Sequence, residues 1–554
     1  MRGSEVFARL FEDYDVRHVF FVPTILSHTL YEIENAGVTR IGTHSERAAV
    51  YMADGYARAT RRPGVCMAQA VGAAEIAASL REPFLGCSPV VALTGGATPA
   101  SRSRQQYQQV EDFSMFGPVT KYNGRAETLD RVPDILRQAF RQATSGKPGP
   151  VHVELLGPQA EELETMTTSI DVYGEGRYSC VPPHRPSADS DSVAATVRLL
   201  QEAKRPVLVV GGGARWSDAG AQVVALAERF GMPVATSLNA KELMPGGHPL
   251  SVGVAGLYAR PSANRVIADA DLVFFVGSQT SSQVTHSWTI PAADTSVIQL
   301  DIDPTELGRH YTNRVSLLGD ARTVIEQLLT IAGDAAAPSG GWAASARAHV
   351  EEWRSDTATV RGSTDVPLRP ERLVDELTHV LPSDSLVVSD TGHAGIWAGG
   401  WLDLNDPDQG FIRAAGNLGW AFPAGIGAKV GVGERPVVVF TGDGGFWYHL
   451  SELETAVRWN VPVVVVINDN HSMNQEINPY KRAYGDPLHG RHHELWHFAD
   501  IDLSKVAKEI GALGLRVTEP DQLGGALDHA ISARRPTVID VVTDVDVIAP
   551  GVRY

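Results

Sequence analysis

The sequence predicts an α/β protein built from three doubly wound parallel-sheet domains. Short β-branched runs of strand length alternate with helical stretches along most of the chain, the pattern of parallel sheets covered on both faces. Two stretches rich in Pro, Ser, Asp and Gly interrupt the alternation and divide it into three blocks of similar size. A length of 554 residues, set against domains of about 100–200 residues, also calls for several cores.

The first domain is expected over 1–165. VRHVFFVP, GVTRIGTH, PGVCMAQA, PVVALTGG and PVHVELLG read as buried strands, with an Ala-rich helix over 46–58 between two of them. An extended linker follows over 166–191, where SCVPPHRPSADSDS carries no apolar period. A second domain over 192–335 has the strands PVLVVGGG, MPVATSL, ADLVFFVG and TSVIQLDID and ends near the helix ARTVIEQLLTIAG. A further linker, 336–366, opens near AAAPSGGW and continues as a helical tether. The last domain, 367–554, contains the strands SLVVSDTG, RPVVVFTGDGG, VPVVVVINDN and PTVIDVVTD.

Composition narrows the function classes. Hydrophobic residues make up 43% and charged residues 20%, enough for packed cores and too little charge for extended disorder. The 48 basic residues are outnumbered by 65 acidic ones, a net charge of -17, so no nucleic-acid partner is expected. Cys66, Cys87 and Cys180 are too few and too scattered for a disulfide framework or a CxxC site. The N-terminal MRGSEVFARLFEDYDV is broken by charges, and no apolar run approaches the roughly 20 residues of a membrane span. A cytoplasmic protein without a membrane partner is the expectation.

The chemistry is densest over 435–472, which reads as a strand, the turn Thr441-Gly442-Asp443-Gly444-Gly445, the helix HLSELETAVRWN, and a second strand ending at Asn468-Asp469-Asn470. Glycines let backbone amides approach an anion, and a following helix directs its positive end towards it. Asp443 and Asn470, both at C-terminal strand ends, supply hard oxygen ligands of the kind that hold Mg²⁺ against a diphosphate. GDG alone would read equally well as a tight βα turn; the second strand with its asparagine adds the weight.

With these residues the chain resembles the thiamine-diphosphate enzymes of the acetolactate synthase and pyruvate decarboxylase superfamily, over nearly its whole length. The resemblance implies three domains in this order: pyrimidine-binding, middle, and diphosphate-binding. It implies that Asp443, the Asn470 side chain and the Ser472 carbonyl hold Mg²⁺, with Gly442, Gly444 and Gly445 in the loop at the diphosphate. Thiazolium activation needs a glutamate hydrogen-bonded to the aminopyrimidine. Glu46, in HSERAAVYMADGYARAT, matches the family's glutamate helix, although an acid in a first helical turn is also electrostatically favoured without any catalytic role. AAGNLGWAFPAGIGAK resembles the pyrimidine clamp, with Leu418 the wedge that bends the cofactor and the Gly416 carbonyl the acceptor for its 4′-amino group. Thr391, Gly392 and His393 match the other diphosphate loop.

Departures from the family pattern cluster where substrate would meet cofactor. Ser45 replaces the usual histidine before the glutamate, Pro23-Thr24-Ile25 a proline-glycine-glycine, Ala70-Val71-Gly72 a glycine-proline-glycine turn, and Glu75 an asparagine beyond it. GSQTSSQVTHSW stands where flavin-dependent relatives carry an arginine-rich stretch, so FAD is not expected. This stretch looks closer to the 2-hydroxyacyl-CoA lyase branch, whose middle domain can hold ADP; Gly211 to Gly213 lack GxGxxG spacing and read rather as a strand-end turn. Glu476 matches a catalytic glutamate of some relatives and suits a proton relay, with an exposed helix glutamate as the alternative. Gln108, between Tyr107 and Gln109, is the polar candidate lining the site from the first domain. His489, His492, His493 and His497 lack a completing carboxylate or cysteine and read as a loop, with a mobile lid as the functional alternative.

The expectation is therefore a lyase or carboligase acting on a 2-oxo acid, with a 2-hydroxyacyl-CoA lyase as first alternative and a non-catalytic thiamine-diphosphate-binding paralogue as second. The resemblance further implies a homodimer or homotetramer with sites at the interface.

Overall fold

The computed structural model describes residues 1–333 and 341–550; the expected linker stretch 335–342 lies outside the described residues but for its last two positions. Among the described residues, eighteen strands form three parallel sheets of six. The first holds β1 (His18–Phe21), β2 (Thr39–Gly42), β3 (Gly64–Ala68), β4 (Val90–Gly96), β5 (Tyr122–Ala126) and β6 (Val151–Leu156), in the order β2-β1-β3-β4-β6-β5. The second holds β7 (Pro206–Val210), β8 (Val234–Thr236), β9 (Ser251–Val254), β10 (Leu272–Val276), β11 (Ser296–Asp301) and β12 (Asn313–Leu318), in the order β12-β11-β10-β7-β8-β9. The third holds β13 (Leu386–Ser389), β14 (Gly410–Arg413), β15 (Val437–Gly442), β16 (Val464–Asp469), β17 (Leu513–Val517) and β18 (Thr537–Val542), in the order β14-β13-β15-β16-β18-β17.

Central strands such as β3, β4, β7 and β10 are buried at every position, because helices cover both faces of a parallel sheet. That is why the sequence shows them as continuous apolar runs. In each sheet the strand order reverses direction beside a central strand, which opens a crevice at the C-terminal strand ends where loops from separate strands converge. The C-terminal ends of β13, β15 and β16 carry the expected diphosphate and metal residues.

The chain folds as two compact units that do not follow sequence order. One comprises Met1–His184 together with Ala414–Val437 and Tyr448–Val463; the other comprises Arg185–Arg413, Val438–Trp447 and the chain from Val464 onward. Within the first unit the helix Ala421–Val432 packs along the helix Glu46–Thr60. Both are apolar around much of their circumference, as helices buried on several sides must be. Their approach is close enough to require glycine: a Cβ at Gly55 would overlap the Ala424 carbonyl, and one at Gly427 the Met52 carbonyl. Replacing Gly427 by Val is therefore expected to destabilise the protein by about 1–3 kcal/mol, the usual cost of overpacking, seen as a lower urea midpoint in chemical denaturation.

Candidate functional site

At the C-terminal end of the interior strand β15, Gly442 closes the strand and Asp443 opens a short helix, Asp443–Trp447. The stretch expected as a turn thus winds into a short helix of its own, and the helix expected over HLSELETAVRWN is shorter, running Glu452–Arg458. Asp443 is buried, with the backbone N–H groups of Gly444 and Ser472 facing its carboxylate, yet its Oδ2 has no hydrogen-bond partner. Burial, reinforced by the nearby Asp540 carboxylate, pushes its pKa up to about 7. Asn470 and Ser472 are buried beside it, and the Ser472 hydroxyl donates to Asn470 Oδ1 at 2.8 Å. An orphaned buried carboxylate oxygen among oxygen donors fits a hard divalent cation.

Two neighbours complete this acidic cluster. Ligand atoms of Asp443, Asp469 and His471 lie within 4.8 Å of one another. Asp469 ends β16 and accepts the His471 N–H at 3.0 Å and sits 2.9 Å from its Nδ1, shaping the loop that carries Asn470 and Ser472. Behind it Asp540 on β18 takes Arg516 at 2.6 Å and the Leu503 N–H at 3.0 Å. Burial and the neighbouring Asp469 raise the Asp540 pKa to about 7. Sequence reasoning missed both aspartates, although VVVVIND and TVIDVV each place an acid inside an otherwise apolar strand, which is itself a signal.

The other expected diphosphate loop lies next to this one. Asp390 ties the two together, accepting the Thr391 N–H at 2.8 Å and the Thr441 hydroxyl at 3.1 Å. Gly392 has φ +69 and faces the Gln475 side chain, and a Cβ at Gly445 would crowd Thr441 and Asp390. His393 is part-buried with Nδ1 2.8 Å from Asn474 Oδ1. Asn474 Nδ2 donates to the Val545 and Val547 carbonyls, so its oxygen is the atom turned to the imidazole. Burial drives the His393 pKa down to about 4 and keeps the ring neutral. The helix begun at Gly392 runs into a π-turn, Trp397–Trp401, whose Gly399, Gly400 and Trp401 carbonyls accept from Lys241, Arg260 and Arg361 respectively. Those three cations, too, escaped sequence reading.

In the first unit Glu46 is the first residue of its helix, behind the N-cap Ser45, whose hydroxyl accepts the Ala48 N–H at 3.1 Å. Its carboxylate lies against Gly72, where a Cβ would overlap Oε1. Of the altered turn Ala70-Val71-Gly72, the last glycine is therefore the one that leaves Glu46 its place. The preceding backbone is held from the other side: the His44 N–H donates to Glu452 at 3.0 Å, and His44 Nε2 meets Glu454 at 2.8 Å. Gly416 and Leu418 lie in the same unit; both are exposed, and nothing stands within 4 Å of a Cβ placed on Gly416.

Other expected residues find less support within the chain. Glu476 is exposed at the N-cap of the helix Ile477–Tyr484. Gln108 is exposed with φ 64, in a segment without regular structure. The histidine stretch is fastened to the metal loop instead of hanging free: the Met473 N–H donates to the Trp496 carbonyl at 2.8 Å and the Phe498 N–H to the His471 carbonyl at 2.7 Å. In the second sheet the Gly211 and Gly213 amides are spent on the Val276 and Gly277 carbonyls, and a Cβ at either glycine would overlap residues 277–278. The triple glycine there serves close packing. Among the described residues, no helix is long and apolar enough to cross a membrane.

Comparison with known proteins agrees with this layout. Three family models match: the thiamine pyrophosphate enzyme N-terminal TPP binding domain over residues 1–115, the central domain over 193–328, and the C-terminal TPP binding domain over 390–541. A probable acetolactate synthase large subunit of Methanocaldococcus jannaschii is 28% identical, covering 100% of this chain and 94% of that protein. One from Methanococcus aeolicus is 26% identical with the same coverage, and the acetolactate synthase large subunit of Corynebacterium glutamicum is 28% identical over 99% of this chain and 87% of its own.

Two outcomes follow from the geometry. The raised Asp443 pKa means that its ionisation destabilises the ion-free chain as pH rises through about 7, while a cation competes with the proton. Stabilisation by Mg²⁺ in a thermal-shift assay should thus be larger at pH 8 than at pH 6 and vanish in Asp443→Asn. Gly72→Ala should lower turnover about 10- to 100-fold, because its Cβ would overlap Glu46 from Cγ to Oε1 and the whole side chain must turn aside.

Proposed function

Because the chain belongs to the thiamine-diphosphate enzymes of the acetolactate synthase and pyruvate decarboxylase superfamily, we propose that it catalyses Mg²⁺-dependent cleavage and formation of carbon–carbon bonds on a 2-oxo acid, as a decarboxylase and carboligase of acetolactate synthase type. The observation that carries this is likeness to acetolactate synthase large subunits along the full chain. The buried, unpartnered Asp443 oxygen among oxygen donors supports the metal assignment.

Thiamine diphosphate, when bound, supplies a nucleophilic carbon and an electron sink for the acyl group. This chain's residues have separate tasks. Asp443, Asn470 and Ser472 hold Mg²⁺ against the diphosphate, and Thr391, Gly392 and His393 line its other side. Glu46 would hold or release a proton at its carboxylate beside the aminopyrimidine ring, the Gly416 carbonyl would accept from the amino group, and Leu418 would supply the apolar wedge. Gln108 and Glu476 approach the substrate side, where Glu476 relays protons. Both are exposed within one chain, which accords with a site completed by a second copy: Glu46 of one protomer facing Asp443 of another in a homodimer or homotetramer.

The test is mass spectrometry of products after incubation with thiamine diphosphate and Mg²⁺, with pooled 2-oxo acids in one tube and short 2-hydroxyacyl-CoAs in another. Cofactor-dependent loss of CO₂, with an aldehyde or acyloin formed, is the expected result. Formyl-CoA plus a carbonyl product would instead establish a 2-hydroxyacyl-CoA lyase, the reading favoured by GSQTSSQ in place of an arginine-rich stretch. Glu46→Gln should lower turnover at least about 100-fold while binding the cofactor, as measured by tryptophan fluorescence; full retained activity would overturn the role of Glu46.

A further inference from the structure

Glu82 lies near the end of the helix Ala73–Leu85 and is wholly buried. No motif marks it. Its carboxylate gathers three consecutive backbone amides: Ala415 at Oε1, then Gly416 at 3.1 Å and Asn417 at 3.0 Å at Oε2. Successive amides converging on one anion form a nest, and here the anion is the protein's own side chain. Arg58 reaches the same carboxylate at 3.3 Å and forks onto Asp54 at 2.8 and 2.7 Å. Its guanidinium lies 4.6 Å over the Trp420 ring, whose Nε1 donates to Asp54 at 2.9 Å. The Asn417 side-chain NH₂ donates to the Tyr51 hydroxyl at 2.8 Å. Every member belongs to the first compact unit, so the segment is held at 415–417 and again at Trp420.

The peptide geometry gives this grip a direction. In a trans peptide the N–H of one residue and the C=O of the residue before it point to opposite sides of the plane. Once the Asn417 N–H is committed to Glu82, the Gly416 carbonyl must point away from that carboxylate. We propose that Glu82 is a positioning residue whose buried carboxylate, by holding the Ala415–Asn417 amides, aims the Gly416 carbonyl at the cofactor's 4′-amino group. The inference rests on the reading above in which that carbonyl receives the amino hydrogen. A glutamine cannot substitute, because its NH₂ would face amide donors that need an acceptor.

The experiment compares Glu82→Gln with wild type and with Leu136→Ala, a core truncation in the same unit outside the network. Three quantities are read: cofactor affinity by tryptophan fluorescence, the split of kcat against KM, and the near-ultraviolet circular dichroism band of the bound aminopyrimidine tautomer. Glu82→Gln is expected to keep affinity within about threefold and KM unchanged, to lose the tautomer band, and to lose about 10- to 100-fold in kcat. Leu136→Ala should keep the band despite its lower unfolding temperature. A normal band and kcat in Glu82→Gln, or equal loss of the band in both variants, would overturn the proposal. If Glu82→Gln does not fold, Glu82→Asp is read in its place: the shorter carboxylate keeps the charge but should lose the band, and a retained band would overturn the proposal. A wild type that neither binds thiamine diphosphate nor shows the band would instead overturn the functional reading itself.

Discussion

A carboxylate removed from water must be met by donors, and this requirement organises both halves of the molecule. In the first unit it is satisfied internally: Asp54 and Glu82 share Arg58, and three backbone amides and an indole N–H complete the set. The result is a fixed scaffold, because removing any one donor would strand a buried charge at a cost of several kcal/mol. In the second unit the requirement is left open. Asp443 is buried with an oxygen that has no hydrogen-bond partner, and Asp469 and Asp540, buried too, face one another with His471 and Arg516 beside them. One cluster is finished by the chain; the other is poised to be finished by a cation.

The parts of the fold that were legible in the sequence are those buried on two sides. The strands identified from apolar runs include every interior strand of the three sheets, since covering both faces leaves no polar alternation to blur them. The strands that escaped, β5, β9, β12, β14 and β17, all lie at sheet edges. One side of an edge strand faces solvent or a loop, so NRVSLL or LGLRV carries charges and glycines that dilute the signal. The helix expected over HLSELETAVRWN is shortened to Glu452–Arg458, and the glycine turn ahead of it winds into a separate short helix, Asp443–Trp447.

The candidate site divides along a similar line. Residues presented by a local motif, such as Asp443, Asn470 and Glu46, could be named because the chemistry is concentrated in a short stretch. Asp469, Asp540, Glu82 and Lys241 could not, because each acts on a partner far along the chain or sits inside a strand that reads as core. Their weak signals are a charge in an apolar run and, for Asp54 and Arg58, an acid and a base one turn apart on a helix that is otherwise apolar. Composition suggests that such a group is buried; only the fold tells what it meets.

The interleaved first unit also bears on how the protein can be made. When a ribosome has delivered all six strands of the first sheet, the helix that covers Glu46–Thr60 has not been synthesised. Trp420 bonds Asp54 across 366 residues, and the covering helix is complete only at Val432. Closing so long a loop adds little to the equilibrium cost, which grows with the logarithm of its length. The kinetic consequence is larger. Through most of translation the apolar flank of the Glu46 helix stands bare, so the nascent chain carries an aggregation-prone surface that its own N-terminal domain cannot hide. A fragment ending before the third sheet would inherit that exposure permanently, so the first domain of this enzyme waits on chain made long after its own sheet.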